Sequence, residues 1–367
     1  MTLNTLINRL LLSFVAFGFS LGLFASEEGH GEKKEKEEFN LTEYALHHVK
    51  DSYGYHLLGD GEDAVTLPLP VILWTDNGLV VFSSSEFHHD HHGHHVVEKN
   101  GMKFVNYHEK VYQLKDGESH LKTKMNKESG QMEVSNAVRP LDFSITKNVF
   151  TLFVLAILIL LIFTSVAKSY KKNPNAPKGL AGWMEPLIVF VRDDIAIPNI
   201  GHKYAKFMPY LLTVFFFIWI GNILGLLPFI SNPNLTGSFT VALTLALFTL
   251  IILLINANKG YWSHIFMPPG MPKILWLILV PIEFAGVFIK AGALTIRLFA
   301  NITAGHIIVI SLVGIIFIKG NIAWAGLSVP MTLFISVLEL LVAALQAYIF
   351  TMLSALFIGQ AVEDAHH

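Results

Sequence analysis

No charged side chain occurs between Lys206 and Lys259. A transmembrane helix needs about 20 consecutive, mostly apolar residues, so this stretch has room for two crossings. Its middle, residues 228–238, is rich in Asn, Pro and Gly, which is typical of a turn. We therefore expect a chain that folds in a lipid bilayer, where backbone polar groups must be satisfied inside helices.

The composition agrees with a membrane protein. Of 367 residues, 53% are hydrophobic and only 15% are charged. The chain has no cysteine, which excludes disulfides, thiolate metal sites and cysteine nucleophiles. Its net charge of -2 gives no indication of a nucleic-acid partner, so the contact that the composition predicts is membrane lipid.

The pattern of apolar and charged segments predicts an all-α polytopic membrane protein with five transmembrane helices. An amphipathic helix at residues 179–201 is expected to lie along the membrane interface, because charges interrupt its apolar face. Residues 274–318 are too long for a single upright crossing, so they predict either one strongly tilted helix or an interfacial lead-in followed by a span. With the final helix they are expected to form a long tilted hairpin. The predicted spans are residues 148–167, two segments within 206–259, residues 274–318 and residues 329–358.

Loop charges predict the orientation. Lys168, Lys171, Lys172 and Lys178 follow the first span, which favours the cytoplasmic side there. Five crossings then place the N-terminal region outside and a tail of residues 361–367 in the cytoplasm. A short loop with Gly320 and Gly326 is expected before the final helix.

Residues 1–25 are typical of an export signal. Arg9 precedes an apolar stretch, residues 10–24, and Ala25 is a small residue at the expected cleavage position. An uncleaved anchor helix is the alternative. Either arrangement delivers the following segment to the outside.

Residues 26–145 predict an exported extension ahead of a membrane domain at 146–360. The charged run 32–38 is typical of a disordered arm. Residues 65–74 and 79–82 flank a Thr-Asp-Asn-Gly turn and predict a β-hairpin, and residues 103–114 predict a second strand pair. We expect a small, β-leaning domain outside the membrane.

A histidine-rich loop spans residues 88–95. Such a loop binds Zn, Ni or Cu loosely, but its spacing defines no rigid metal site, so a flexible, pH-sensitive loop is favoured over a metal-binding module. No cofactor is predicted. The histidines are His88, His89, His91, His92, His94 and His95.

Ionisable residues recur at helical spacing in the last two spans. Glu283, Lys290 and Arg297 are seven residues apart and share one helix face, with Asn301 one turn further. His306 points to the opposite side, ~13–14 Å beyond Arg297. In the last helix Glu339 and Gln346 are again seven residues apart.

These residues have structural and functional interpretations. Asn301 and Gln346 are candidates for interhelical hydrogen bonds, Lys290 for snorkelling to the interface, and Arg297 for an ion pair with Glu283 or Glu339. Several ionisable groups in one hairpin are a costly way to join helices, which favours a proton relay. An arginine within the relay cannot release its own proton.

Three motifs resemble the membrane (Fo) sector subunit a of F-type ATP synthases, in order and over about residues 145–360. The most specific runs from Arg297 to His306, Arg-Leu-Phe-Ala-Asn-Ile-Thr-Ala-Gly-His. The others are Leu345-Gln346-Ala-Tyr-Ile-Phe350 and Gly221-Asn222-Ile-Leu-Gly-Leu-Leu-Pro228. The resemblance implies a non-catalytic, proton-translocating stator subunit with a c-subunit ring and b-type stator subunits as partners.

The resemblance also implies residue roles. Arg297 matches the arginine that faces the c ring and separates two half-channels. The positions assigned to the outer half-channel are Asn222, His306, Glu339, Gln346 and Asn301, and those assigned to the cytoplasmic exit are Glu283 and Lys290.

This chain departs from many bacterial members in that His306 and Glu339 are exchanged between the two helices, as in mitochondrial relatives. Gly225 stands where several relatives have an acid, and Ala300 where glycine is frequent. The competing hypothesis is an independent ion channel or secondary transporter, although we find no internal repeat to support it. Whether H⁺ or Na⁺ is coupled depends on the c subunit.

Overall fold

The computed structural model describes residues 51–58, 65–88, 90–125, 132–172, 178–226, 235–267, 272–319 and 324–363. The predicted signal peptide, the charged run 32–38, His89 and the tail beyond residue 363 lie outside the described residues. Most of the predicted turn at 228–238 also lies outside them.

The N-terminal part of the described chain is a β domain built from short antiparallel strands. The strands are β1 Gly54–Leu58, β2 Val65–Pro68, β3 Pro70–Thr75, β4 Gly78–Ser83, β5 Val97–Lys99, β6 Met102–Asn106, β7 Val111–Leu114, β8 Thr123–Met125, β9 Met132–Val134, β10 Ala137–Val138 and β11 Leu141–Asp142. They form sheets with the strand orders β10-β7-β6-β5, β11-β3-β4, β1-β2 and β8-β9.

The predicted hairpin is confirmed, with a correction to its first strand. Strands β3 and β4 pair antiparallel, and Thr75 lies opposite Gly78 across the turn. The predicted strand 65–74 is two strands, β2 and β3, because Pro68 and Pro70 have no N–H to donate to a continuous ladder. The second predicted pair is confirmed as β6 and β7.

The core of the β domain forms where alternating residues of several strands meet. Val71 and Leu73 of β3 are fully buried, while Pro70 and Trp74, which flank this pair, are exposed. This period of two is the expected signature of a sheet with one covered face. The apolar core consists of Tyr53, Val71, Leu73, Val80, Phe82, Phe87, Val97, Met102, Phe104 and Val111.

Eight α-helices follow the β domain in the described residues. They are α1 Lys147–Lys172, α2 Leu180–Phe190, α3 Ile197–Ile200, α4 Tyr204–Leu226, α5 Phe239–Asn256, α6 Lys259–Phe266, α7 Lys273–Lys319 and α8 Ala325–Val362. A π-helical segment, Val191–Ala196, joins α2 to α3. The fold is therefore the predicted all-α membrane domain with a small β domain before it.

Five helical segments of the described chain are long and apolar enough to cross a membrane. They are α1, the segment 180–226 that includes α2, α3 and α4, then α5, α7 and α8. Helix α7 has 47 residues and is ~70 Å long at 1.5 Å per residue, more than twice a hydrocarbon core of about 30 Å. It packs against α8 along the predicted hairpin.

Helix α8 begins earlier than predicted. Gly326 was expected in the loop before the final helix, but it lies in the first turn of α8. A Cβ at Gly326 would have no atom within 4 Å, so neighbouring segments do not obstruct a helix at this position.

The segment from α2 to α3 is amphipathic, as predicted. Met184, Val191 and Ile195 are buried against the helical core, whereas Arg192 and Asp193 are exposed. Gly201 ends this segment with a φ of 69°, a left-handed conformation that favours glycine, and α4 begins after it. The break separates the charged helix from the apolar one.

The helical core joins α4, α5, α7 and α8. Phe216 and Ile218 of α4 are buried in the same cluster as Leu294 and Leu298 of α7. Hydrogen bonds supplement the apolar contacts, because Thr249 Oγ1 of α5 lies 2.6 Å from Tyr210 Oη and 3.2 Å from Ser354 Oγ. Interhelical hydrogen bonds of this kind are worth roughly 0.6 kcal/mol each in a membrane.

Candidate functional site: a polar cavity beside an exposed arginine

A small cavity opens where α4, α7 and α8 meet. Asn222, His306 and Glu339 all line it, each from a different helix. Its volume of about 20 Å³ is sufficient for a water molecule. The cavity is lined by Gly221, Asn222, Gly225, Leu226, Thr236, Asn301, Ile302, His306, Glu339, Val342 and Ala343.

Asn222 is held in a fixed orientation at one wall of the cavity. Its Nδ2 donates to the Ala343 carbonyl of α8 at 3.3 Å. Its Oδ1 accepts a short hydrogen bond from Thr236 Oγ1. Both ends of a buried amide are therefore satisfied, which fixes its side chain toward the cavity.

His306 and Glu339 come together from α7 and α8. His306 is buried and Glu339 is half-buried. Gly305, the neighbour of His306, lies so close to Glu339 that a Cβ at this position would be 3.2 Å from Glu339 Cδ. An imidazole and a carboxylate beside one water-sized space are groups that can exchange protons.

Two glycines in the wall leave the space that forms the cavity. Gly221 and Gly225 line it from α4, one turn apart, and neither carries a side chain that would fill it. A Cβ at Gly221 would meet Leu155 of α1 at 3.2 Å, so α1 closes the space behind this glycine.

Arg297 lies on a different face of α7 from His306. Its side chain is exposed, and among the described residues it forms no ion pair, including with Glu283 or Glu339. Its neighbour Ile296 is 62% exposed. The guanidinium thus lies on an open apolar surface, with no carboxylate within 4 Å in the part of the chain that the structure describes.

The remaining predicted site residues lie either at or near the cavity or toward the beginning of α7. Asn301 lines the cavity, whereas Gln346 is buried further along α8. Lys290 Nζ donates to Gln360 Oε1 at 2.9 Å and lies 5.2 Å from the centre of the Phe357 ring. Glu283 lies near Tyr261 of α6, where burial, reinforced by the negative charge of Glu283, raises the pKa of the tyrosine.

Thr236 and Gln360 were not predicted as site residues. Gln360 follows Gln346 by fourteen residues, so it continues the spacing of Glu339 and Gln346 and was detectable in the sequence. Thr236 had no such signal, because its bond to Asn222 depends on how the loop before α5 returns to α4.

In the β domain, the histidine-rich loop is held partly by backbone contacts. Asp90 accepts hydrogen bonds from the His92 and His95 amides, at 2.8 and 2.5 Å. Burial opposes the charged form of Asp90, but the amides of His95, His92 and His94 outweigh it and lower the pKa of this carboxyl. No three His, Asp or Glu side chains of the described chain converge as a metal site.

Comparison with known proteins gives the family of the helical part. Residues 149–359 match the family described as ATP synthase A chain. ATP synthase subunit a of Chloroherpeton thalassium is 48% identical over 233 residues, which cover 62% of this chain and 69% of that protein. The protein of the same name from Chlorobium phaeobacteroides is 50% identical over 234 residues, covering 62% and 67%.

A further relative is ATP synthase subunit a 2 of Chlorobaculum tepidum, which is 51% identical over 235 residues covering 61% of this chain and 66% of that protein. The β domain matches separately: residues 44–143 correspond to a domain of unknown function.

The fold defines a multi-pass membrane protein. The chain belongs to the ATP synthase subunit a family. Members of this family are the proton-channel stator subunit in the membrane (Fo) sector of ATP synthase. This subunit is not a catalytic subunit of the complex.

Proposed function

We propose that the polar cavity is part of an outer half-channel that delivers protons to the carboxylates of a c-subunit ring. Asn222, His306 and Glu339 provide an amide, an imidazole and a carboxylate around one water-sized space. This convergence of three helices is the observation that carries the proposal. Gln346 and Asn301 extend the polar lining along α8 and α7.

Arg297 separates the two half-channels in this proposal. Its exposed position on the apolar face of α7, without an acid of the described chain, leaves it available to a carboxylate of the ring. The attraction is roughly 4 kcal/mol at contact distance and an effective dielectric constant near 20. A protonated carboxyl is neutral and can leave the arginine for lipid at far lower cost.

The cytoplasmic exit would include Glu283 and Lys290, near the other end of the hairpin. Lys290 is held by Gln360 of α8, which fixes it beside the C-terminal end of that helix. We propose that the N-terminal β domain lies outside the inner membrane and residues 361–367 lie in the cytoplasm. The b-type stator subunits and the remaining synthase are further proposed partners.

The experiment replaces Glu339 with glutamine, which keeps the shape but cannot exchange a proton at pH 7. Proton conduction is measured in membrane vesicles from which the catalytic sector has been removed. We expect a loss on the order of 10²-fold or more. The matched control is Ser336→Ala, one turn earlier on α8, where the exposed hydroxyl bonds only to the Thr332 carbonyl among the described residues.

Conduction by Glu339→Gln at the wild-type rate would contradict the proposal, provided that the c subunits co-purify with the variant. A second arm reconstitutes the purified chain alone into liposomes. The proposal predicts no proton flux without the c ring, whereas an independent channel or transporter would conduct by itself.

A further inference from the structure

The β domain meets the first membrane helix at a buried polar junction. The Lys147 amide donates to the Ser52 carbonyl at 2.8 Å, and the Asn148 amide donates to Asp51 Oδ1 at 3.0 Å. Lys147 and Asn148 are each only 8% exposed. The first turn of α1 is therefore enclosed by the β domain, although it carries a charged side chain and an amide.

This junction has more hydrogen-bonding capacity than the described residues satisfy. Asn148 Oδ1 and Thr146 Oγ1 are buried and have no hydrogen-bond partner in the part of the chain that the structure describes. Lys147 likewise has no carboxylate within 4 Å among those residues. Buried polar atoms of this kind are normally satisfied by ordered water, so the junction is expected to be hydrated.

On the outer side, ionisable groups connect the junction to the histidine-rich loop. Lys147 interacts electrostatically with Asp51 and Glu109. The Glu109 side chain is 4% exposed and lies 2.9 Å from Nδ1 of His91. His92, next to His91, is exposed to solvent. A carboxylate whose charge acts on the buried lysine is thus paired with an imidazole of the histidine-rich loop.

On the inner side, α1 leads to the polar cavity. Lys147 interacts electrostatically with His306 of α7. Leu155, two turns along α1 and ~12 Å from Lys147, closes the cavity wall behind Gly221. Asp51 and Glu109 of the β domain therefore act on Lys147, and the charge of Lys147 in turn acts on His306 at the cavity.

We propose that the β domain forms the entrance of the outer half-channel, and that protons pass from the His91–Glu109 pair through the junction at Lys147 to His306. A solvent proton binds the His91 imidazole and moves to the Glu109 carboxylate. It then crosses the junction along hydrogen-bonded water and binds His306. Each donor returns to its starting charge, so no other reactant is consumed.

In this path Lys147 is a positioning residue. Its ammonium donates hydrogen bonds that organise the water of the junction, while the proton itself travels on the water and on the carboxylate and imidazole groups. The inference rests on the proposed function, because it needs His306 to belong to the half-channel.

The test compares Glu109→Gln and Lys147→Met in the complete complex, in vesicles stripped of the catalytic sector. We expect each variant to slow proton conduction about tenfold or more, as expected for loss of a positioned proton-transfer group. We also expect the variants to lose a step in the pH profile of conduction. Glu86→Gln is the control, because Glu86 pairs with Lys99 at 3.0 Å in the same domain.

The His306→Ala variant, measured in parallel, separates the two proposals. Wild-type conduction and pH profile in Glu109→Gln, with impaired conduction in His306→Ala, would overturn the entrance and leave the half-channel standing. Wild-type conduction in His306→Ala would instead overturn the half-channel. Should Lys147→Met fail to assemble with the c subunits, the isosteric Glu109→Gln decides the outcome.

Discussion

Gly305 of α7 lies directly against Glu339 of α8, and a Cβ at this position would overlap the carboxylate and lie 3.2 Å from its Cδ. A glycine leaves room for the carboxylate in its present position, whereas a Cβ would force the flexible end of the Glu339 side chain to move. The Glu339 carboxylate can therefore occupy this position because residue 305 of α7 has no Cβ.

We expect Gly305→Ala to displace the Glu339 side chain from the cavity. Because proton transfer requires hydrogen-bond distances, conduction in stripped vesicles should fall on the order of tenfold or more. Because the flexible end of Glu339 can move away, we expect little change in the free energy of unfolding.

Gly286→Ala is the control for this prediction, since it lies in the same helix with nothing within 4 Å of its added Cβ. Equal conduction by the two alanine variants would show that the close approach has no functional consequence.

Exchanging the two proton-transfer groups should restore part of their activity. His306→Glu and Glu339→His are each expected to reduce conduction, and the double variant should conduct better than the product of the two losses predicts. The reason is that both side chains line one cavity, where an acid and an imidazole serve as a pair. Strictly additive losses in a double-mutant cycle of conduction rates would argue against a shared relay.

Gly359 should be essential for packing the end of α8. A Cβ here would overlap the Asn199 carbonyl oxygen and lie 2.9 Å from its carbon, so α8 and α3 would have to separate. We expect Gly359→Ala to lower the free energy of unfolding by about 1–3 kcal/mol, measured as reduced thermal stability in detergent.

Gly326→Ala in the same helix has open space around its Cβ and is the matched control. Unfolding of both variants at the wild-type temperature would show that the close approach of Gly359 to the Asn199 carbonyl does not limit packing.

The stability of the β domain should depend on pH through His91. The hydrogen bond to the Glu109 carboxylate raises the pKa of His91; burial lowers it by less, and the charges of Glu109 and Asp90 raise it further. A raised folded pKa stabilises the fold below the unfolded value of about 6.5, and this stabilisation is lost as the pH rises through the folded pKa.

We therefore expect His91→Gln to accelerate amide hydrogen exchange in β6 most strongly at about pH 6, with little difference at about pH 9. Comparing variant and wild type at the same pH cancels the intrinsic pH dependence of exchange. His94→Gln, at an exposed position of the same loop, should show no such trend. A constant effect of His91→Gln across this range would contradict the ion pair.

Much of the helical architecture was predictable from local sequence signals. The stretch between Lys206 and Lys259 is long, apolar and uncharged. In lipid such a stretch forms helices, because only there are its backbone N–H and C=O groups hydrogen-bonded, and α4 and α5 lie almost wholly within it. The turn between β3 and β4 was equally local, because Asp76, Asn77 and Gly78 favour it directly.

Contacts between distant segments were not predictable in the same way. Lys147 immediately precedes the predicted start of the first span and looked like an ordinary flanking lysine. Its burial depends on Ser52 and Asp51, which are almost a hundred residues earlier. Similarly, Thr236 bonds to Asn222 only because the loop before α5 folds back onto α4, and no periodicity in the sequence indicates this contact.

The central proposal is that Arg297 separates the half-channels and attracts a carboxylate of the ring. Arg297→Lys keeps the charge but replaces a planar guanidinium, which does not release its proton, with an ammonium that can. The most direct measurement is ATP-driven proton pumping in membrane vesicles containing the assembled Arg297→Lys complex. We expect coupled pumping to be lost in this variant, whereas pumping at the wild-type rate would show that the guanidinium does not separate the half-channels.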